Sequence, residues 1–267
     1  DARVELTAVT GDFEIIGHDG DSIELTGTLG DDVDELIIDG GPDSWTIELK
    51  MRKNDGGNWG WNSGSDLTLL VPRGGRIESR TVSGELSLLN LDGASVEVAT
   101  VSGEIELQNV RPEELSVESV SGDIDSDSAG TVRNRMKTVS GDVDLVDAYG
   151  QVELESVSGD VEVNGSEIAE LRIQTVSGDI DARIRPQPKA WMRINSHSGD
   201  VQLALPAGTG VRLSAETFSG DIDSAFGGEV QRKRRGPGAW LEHESGDGLV
   251  SIEAKTFSGG FYLTELD

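Results

Sequence analysis

A tetrad of hydroxyl, hydrophobe, Ser and Gly recurs through this chain, and its spacing limits the possible folds more than any other feature. The copies are TVSG at Thr81–Gly84 and Thr100–Gly103, SVSG at Ser119–Gly122, TVSG at Thr138–Gly141, SVSG at Ser156–Gly159, TVSG at Thr175–Gly178, SHSG at Ser196–Gly199, and TFSG at Thr217–Gly220 and Thr256–Gly259. Successive glycines lie 19, 19, 19, 18, 19, 21, 21 and 39 residues apart. A fixed period of this length marks a solenoid, in which no repeat can bury its own apolar face and each must stack on its neighbours. The final interval is about two periods.

The residues around each tetrad give the shape of one coil. Two and four places after the Gly stand apolar residues such as Leu86 and Leu88, Ile105 and Leu107, Val161 and Val163. One and three places after it stand acids, as at Glu104 and Glu106 or Asp179 and Asp181. Alternation with period two is a strand with one dry face. A second strand precedes the tetrad, with apolar pairs at Val96 and Val98, Leu115 and Val117, Met192 and Ile194. The outward residues between those pairs, among them Glu97, Arg135, Glu153, Arg172 and Arg193, mix both signs. Gly supplies the tight corner that every coil needs at the same place, and the stacked hydroxyls are expected to bond one another or the corner carbonyls.

The expected fold is therefore all-β: a single-stranded parallel β-helix of about 19 residues per coil, forming one β-solenoid domain over residues 1–267. Left-handed β-helices keep a strict hexapeptide rhythm of about eighteen residues per coil. The drift from 18 to 21 seen here predicts a right-handed one. VTGDFEI at Val9–Ile15 repeats the pattern, and Gly11 to Gly30 is again 19. Residues 1–71 accordingly read as degenerate coils with an exposed Gly- and Asn-rich loop at 52–66, ahead of a strand at Leu67–Val71. Regular coils follow over 72–224, then an insertion at 227–248 and a closing coil at 249–267. Unless capped, the terminal coils would present free strand edges and invite end-to-end self-association.

Fifty acids against 22 bases give a net charge of −28, which disfavours nucleic acid and anionic membrane and favours cations and basic surfaces. Six lysines against sixteen arginines on so acidic a chain would also suit a high-salt habitat. No apolar run approaches the length of a membrane-spanning helix. The absence of Cys excludes disulfides and thiol chemistry. A chain opening at Asp1 without Met reads as processed or truncated, which leaves room for an export signal already removed.

The acid column is the first candidate site. Asp123, Asp142, Asp160, Asp179, Asp200 and Asp221 follow the corner glycines, with Asp125, Asp144, Glu162, Asp181 and Asp223 two places further on. Like charges stacked at strand spacing oppose the sheet. Bound Ca²⁺ would offset that repulsion; water, counterions and splayed side chains are the simpler answer. DIDSDSAG at Asp123–Gly130 mimics the start of an EF-hand loop, but Ser128 stands at its sixth position and Asn134 at its twelfth. Trp59 and Trp61 in the Gly-rich loop, and the basic cluster Arg232, Lys233, Arg234 and Arg235 in the insertion, are the interaction candidates. Trp191 and Trp240 read as packing residues.

A serine present in every coil is not a nucleophile. The three histidines, His18, His197 and His243, stand in no repeating relation to it. Polysaccharide lyases and hydrolases on β-helices also use acid clusters, but a catalytic pair would be a local exception to the repeat, and the acids here recur. The chain is therefore read as non-enzymatic, with a carbohydrate-binding or carbohydrate-cleaving β-helix, or a Ca²⁺-binding acidic solenoid, as the alternatives.

The repeated [TS]-[VF]-S-G-[DE]-[VI]-[DE]-[LV] coils, the LTLLVPRG that follows the Gly-rich break, and the closing GPGAWLEHESGDGLVSIEAKTFSGGFYL together resemble the bacterial putative-adhesin family, a β-strand-repeat domain. The resemblance runs through essentially the whole chain, most specifically Leu67 to Leu263. It implies a β-helix on an exported protein of the periplasm or cell surface, acting as a structural or interaction module toward a protein or glycan. It carries over no catalytic residues and no cofactor. Gly260, where the pattern has an acid, is its clearest departure.

Overall fold

The computed structural model describes residues 3–41, 43–52, 64–128, 130–234 and 236–266. Every regular element among them is a β-strand, and the chain forms two compact units, Asp1–Thr131 and Val132–Asp267.

The first unit contains β1 (Arg3–Thr7), β2 (Gly11–His18), β3 (Glu24–Thr28), β4 (Val33–Gly40), β5 (Ser44–Met51), β6 (Ser65–Pro72), β7 (Arg76–Arg80), β8 (Leu86–Leu89), β9 (Ser95–Ser102), β10 (Ile105–Gln108), β11 (Glu114–Ser121) and β12 (Ile124–Asp127). The strands ahead of each corner stack in parallel as β5, β1, β7, β9 and β11, and those after it as β6, β2, β8, β10 and β12. Ile105 lies between Leu86 and Ile124, one tetrad interval away on each side. The predicted inward pairs form the core: Leu86, Leu88, Ile105, Val98 and Val117 are all inaccessible to solvent.

Two expectations for this unit are corrected. The coils do not stack in chain order, because the N-terminal coil β1/β2 sits between β5/β6 and β7/β8. The interval Gly11 to Gly30 is not a coil either: β3 runs antiparallel along β6 and β4 antiparallel along β5, covering the edges that stacking alone would leave open. The corner neighbour of Gly11 is Ser65 instead. Ser65 and Asp66, assigned to the loop from sequence, open β6; residues 53–63, with Trp59 and Trp61, lie outside the described residues. The EF-hand-like segment is a strand, since Ile124–Asp127 pairs with β10 and buries Ile124 and Ser126.

The second unit contains β13 (Arg133–Ser140), β14 (Val143–Ser158), β15 (Val161–Ser177), β16 (Ile180–Ser198), β17 (Val201–Pro206), β18 (Val211–Ser219), β19 (Ile222–Ser224), β20 (Gln231–Arg232), β21 (Ala239–Glu244), β22 (Val250–Ser258) and β23 (Phe261–Leu266). Strands β14 to β16 are long because each runs through the return segment and serves two faces, with register shifts where it bends. The coil β22/β23, expected to close the stack, is intercalated. β22 lies between β16 and β18, and β23 between β17 and β19. The insertion supplies β21, antiparallel on the outer side of β18, and β20 antiparallel on β21. In each unit a coil from the chain terminus is held between two others, and the neighbouring edge is covered by antiparallel strands.

Both the backbone conformation and close stacking explain the corner glycine. At Gly103, φ is 130° and an added Cβ would stand 2.0 Å from the carbonyl oxygen of Gly84. At Gly178, φ is 127° and the same atom would stand 2.0 Å from the Gly159 oxygen. The hydroxyl column beside it is buried, from Thr81 and Thr100 to Thr217 and Thr256. Its bonding is only partly as expected. Thr81 donates to Thr100 at 3.1 Å, and Thr217 and Thr256 both donate to the Gly259 carbonyl. The hydroxyls of Ser119, Thr138, Ser156 and Thr175 make no such bond among the described residues. Parallel neighbours stand about 4.8 Å apart, beyond hydrogen-bond reach unless rotamers converge.

The opposite corner of the first unit uses a device the sequence reading missed. Asn90 and Asn109 both adopt positive φ, 58° and 55°, and Nδ2 of Asn109 donates to Oδ1 of Asn90 at 2.6 Å. Asn tolerates the left-handed region, and its amide can bond the copy in the next coil. The signal was legible, since the two lie one tetrad interval apart.

Candidate functional site

The second tetrad position faces outward. In the first unit Val82, Val101 and Val120 are 45 to 47% exposed, and Val9 extends their column. In the second unit the column is Val139, Val157, Val176, His197, Phe257 and Phe218, its apolar members 44 to 49% exposed. Scattered exposed valines need no explanation, but apolar side chains recurring at the same outward corner, with His197 the one polar member among the described residues, form a ridge. Intercalation sets its order at one end. The rings of His197 and Phe257 stack at 4.7 Å with planes 7° apart, and those of Phe257 and Phe218 at 4.7 Å with planes 3° apart. That spacing is the strand repeat, so the rings lie one per coil.

The acid column runs beside the ridge, three residues on, and the structure gives it a role that sequence did not. The backbone N–H of Asp160 donates to Oδ1 of Asp142 at 2.7 Å, that of Asp179 to Asp160 at 2.8 Å, and that of Asp200 to Asp179 at 2.7 Å. The N–H of Gly260 donates to Asp200 at 2.7 Å, and in the first unit Glu85 donates to Asp12 at 3.0 Å. Each Asp thus ties its coil to the next. Charge-assisted bonds to backbone N–H offset the like-charge repulsion along the column. At exposed Glu104, some loss of hydration and then the charges of Asp125, Glu85, Glu106 and Asp123 push the carboxyl above the usual glutamate range.

Gly260 interrupts this column for a steric reason. An added Cβ would lie 2.5 Å from the Tyr262 hydroxyl, so the tyrosine ring occupies the space an acidic side chain would need. The ring stack and this break share the intercalated coil.

The outward face ahead of the corner carries paired charges. In the second unit Arg135 meets Glu153 at 3.4 Å, Lys137 meets Glu155 at 2.8 Å, and Arg193 meets Glu253 at 2.6 Å. The last pair exists only because β22 lies against β16. Lys255, followed by Arg193, holds Glu253 below the usual carboxylate range against the opposing effect of burial. Trp191 is half-buried on this face, with the guanidinium carbons of Arg193 and Arg172 at 4.9 and 5.4 Å from its ring. It stacks on cations rather than packing inward with Met192. In the first unit Arg3 hydrogen-bonds Glu78, which is held below its usual range by Arg3 and Arg80 against burial.

The remaining sequence candidates are dispersed. Arg232 donates to Asp221 at 2.6 Å, while Lys233 and Arg234 are exposed beyond β20. Arg235 lies outside the described residues. Of the Ca²⁺ candidates, Asp123 and Asp125 belong to the first unit and Asp142, Asp144, Asp160, Asp179 and Asp181 to the second, where they stand in columns. Asp181 also bonds Arg183 at 2.8 Å. Among the described residues no group of three or more His, Cys, Asp or Glu converges to hold a metal ion. A depression of about 220 Å³ in the first unit is lined by Asp12, Glu14, Asp66 and Glu85, with Thr68 donating to Glu14.

A stack of parallel strands, without a helix among the described residues and with a repeated Ser-Gly corner and an outward apolar ridge, defines a β-strand-repeat protein. The chain belongs to the Toastrack DUF4097 family, whose model matches residues 3–259. The family resemblance drawn from the tetrads is thus borne out. No curated protein shows significant similarity to the chain. Among solved structures, a putative cell adhesion protein from Clostridium sporogenes aligns over 99% of this chain and 92% of its own, at 11% identity and a TM-score of 0.24.

Proposed function

We propose that this chain is a right-handed β-solenoid of about nineteen residues per coil, serving as a non-catalytic interaction module of the bacterial cell envelope, exported to the periplasm or cell surface. The variable coil length, 18 to 21 residues between most corners, supports the handedness. The observation that carries the interaction reading is the ridge, an outward apolar column with an acid column beside it. Water-exposed apolar side chains held in register on a rigid backbone are what a contact surface needs, and flexible loops are not required to build it.

The test compares binding of the full chain and of ridge variants to whole cells and isolated envelopes. Val157→Lys and Phe257→Lys change exposed side chains, so each should keep its melting temperature and lose binding. Undiminished binding by both would remove the ridge as the contact surface. Binding that instead follows a glycan array, or release of reducing ends from a polysaccharide, would favour the carbohydrate reading. Fractionation of the natural gene product tests the location.

A further inference from the structure

We propose that the aromatic end of the ridge in the second unit anchors a basic polypeptide segment, its apolar side chain covering the Phe257 and Phe218 rings and its Lys or Arg side chains pairing with Asp179 and Asp200. This assignment rests on the ridge being a contact surface. Three observations meet here. The rings of His197, Phe257 and Phe218 stand exposed in one stack, whereas every other coil of this unit places a valine at that point. The acid column breaks at Gly260, in the same coil as Phe257, where Tyr262 takes the space, so no carboxylate stands beside that ring. Asp200 lies beside His197 and Asp179 beside Val176 one coil further along, each spending Oδ1 on the backbone amide of the next coil and leaving the other oxygen out of that bond, whereas Asp221, beside Phe218, is already held by Arg232.

The occupant follows from charge. Removing three rings from water favours an apolar contact, and aromatic side chains are the commonest anchors of such contacts. A second copy of this chain would bring its own acid column against this one, within a molecule of net charge −28, and like charges across a contact are strongly unfavourable. A basic segment with an apolar anchor satisfies both the rings and the aspartates.

The experiment is a calorimetric titration of the full chain at physiological salt with three synthetic peptides of equal length. One alternates Lys and Phe, one is oligolysine with the same number of lysines, and one alternates Ser and Phe. The Lys-Phe peptide should bind at least about tenfold more tightly than either other, as one aromatic hot spot and its charged neighbours provide. Phe257→Ser with Phe218→Ser should reduce it to the oligolysine level, while Phe257→Leu retains most of the affinity. Asp179→Asn with Asp200→Asn should weaken it several-fold, and Val146→Ser, at an exposed position outside the ridge, should leave it unchanged. Equal binding of oligolysine, equal binding of the Ser-Phe peptide, indifference to the phenylalanine variants, or dimerisation of the chain in light scattering would each overturn the proposal. Loss of envelope binding in Phe257→Lys together with a null peptide titration would reject the basic segment while leaving the ridge as a contact surface.

Discussion

Replacing Asp179 separates the two things a carboxylate in the acid column does. Its Oδ1 accepts the Asp200 N–H at 2.7 Å, while its charge lies one coil from Asp160 and one coil from Asp200. A hydrogen bond to a charged group contributes about 1.5–3 kcal/mol, and less here because water can replace the lost acceptor at an exposed corner, so about 1 kcal/mol is expected. The repulsion at roughly 4.8 Å is about 0.9 kcal/mol per neighbour in water before screening, and near half that at physiological salt. Asp179→Ala loses the bond and the repulsion together and should lie close to wild type. Asp179→Asn keeps an acceptor, sheds the charge and should be more stable by about 0.5–1 kcal/mol, a rise of roughly 1–4 °C in melting temperature. Thermal melts of both variants at low and high salt measure this, and the gain in the Asn variant should shrink as salt rises. If Asp179→Asn is destabilised as much as Asp179→Ala, the charge itself is holding the column, as a bound cation would require. In that event Ca²⁺ should raise the melting temperature of wild type and not of the Asn variant.

Other expectations follow from the packing. Phe261 is fully buried in the intercalated coil, so Phe261→Ala should cost about 3–5 kcal/mol by denaturant unfolding; a loss under 1 kcal/mol would mean that coil is not packed as described. A double-mutant cycle on Arg193 and Glu253 should give a coupling of about 0.5–1 kcal/mol, whereas zero coupling would contradict the pairing of β22 with β16. Gly178→Ala forces a Cβ to 2.0 Å from a carbonyl and should prevent folding or lower stability by more than about 3 kcal/mol, and a normal melt would refute the corner geometry. The Glu104 carboxyl is held above its unfolded range, so the proton it keeps stabilises the fold at low pH and this contribution is lost as pH rises through the folded value. Glu104→Gln should therefore raise the melting temperature at pH 7, with the advantage vanishing below the ordinary glutamate range.

The candidate site was half legible. The tetrad showed a hydrophobe in eight of its nine copies, but only the backbone direction at the corner reveals that Val101 and Val157 face water while Thr100 and Ser156 face inward. Acid at each corner was visible as charge, and its hydrogen bond to the next coil was not, because that bond joins residues 18 to 21 apart. The stacked rings were hidden for the same reason. His197 and Phe257 belong to tetrads that are not consecutive in the chain.

What the sequence determined alone is the coil: its length, its two strands, its corner and its inward pairs, all set by short-range alternation and by the requirement for Gly. Tertiary structure decided the order of the coils and the treatment of their edges. The inward pair Ile252 and Ala254 stacks between Met192 and Ile194 on one side and Leu213 and Ala215 on the other. Any such pair would fit between any two others, since parallel registers of the same apolar pattern are nearly equivalent in packing. The choice therefore rests on long-range terms that no period records, namely the reach of the segments that return the chain and the antiparallel strands that cover β5, β6 and β18.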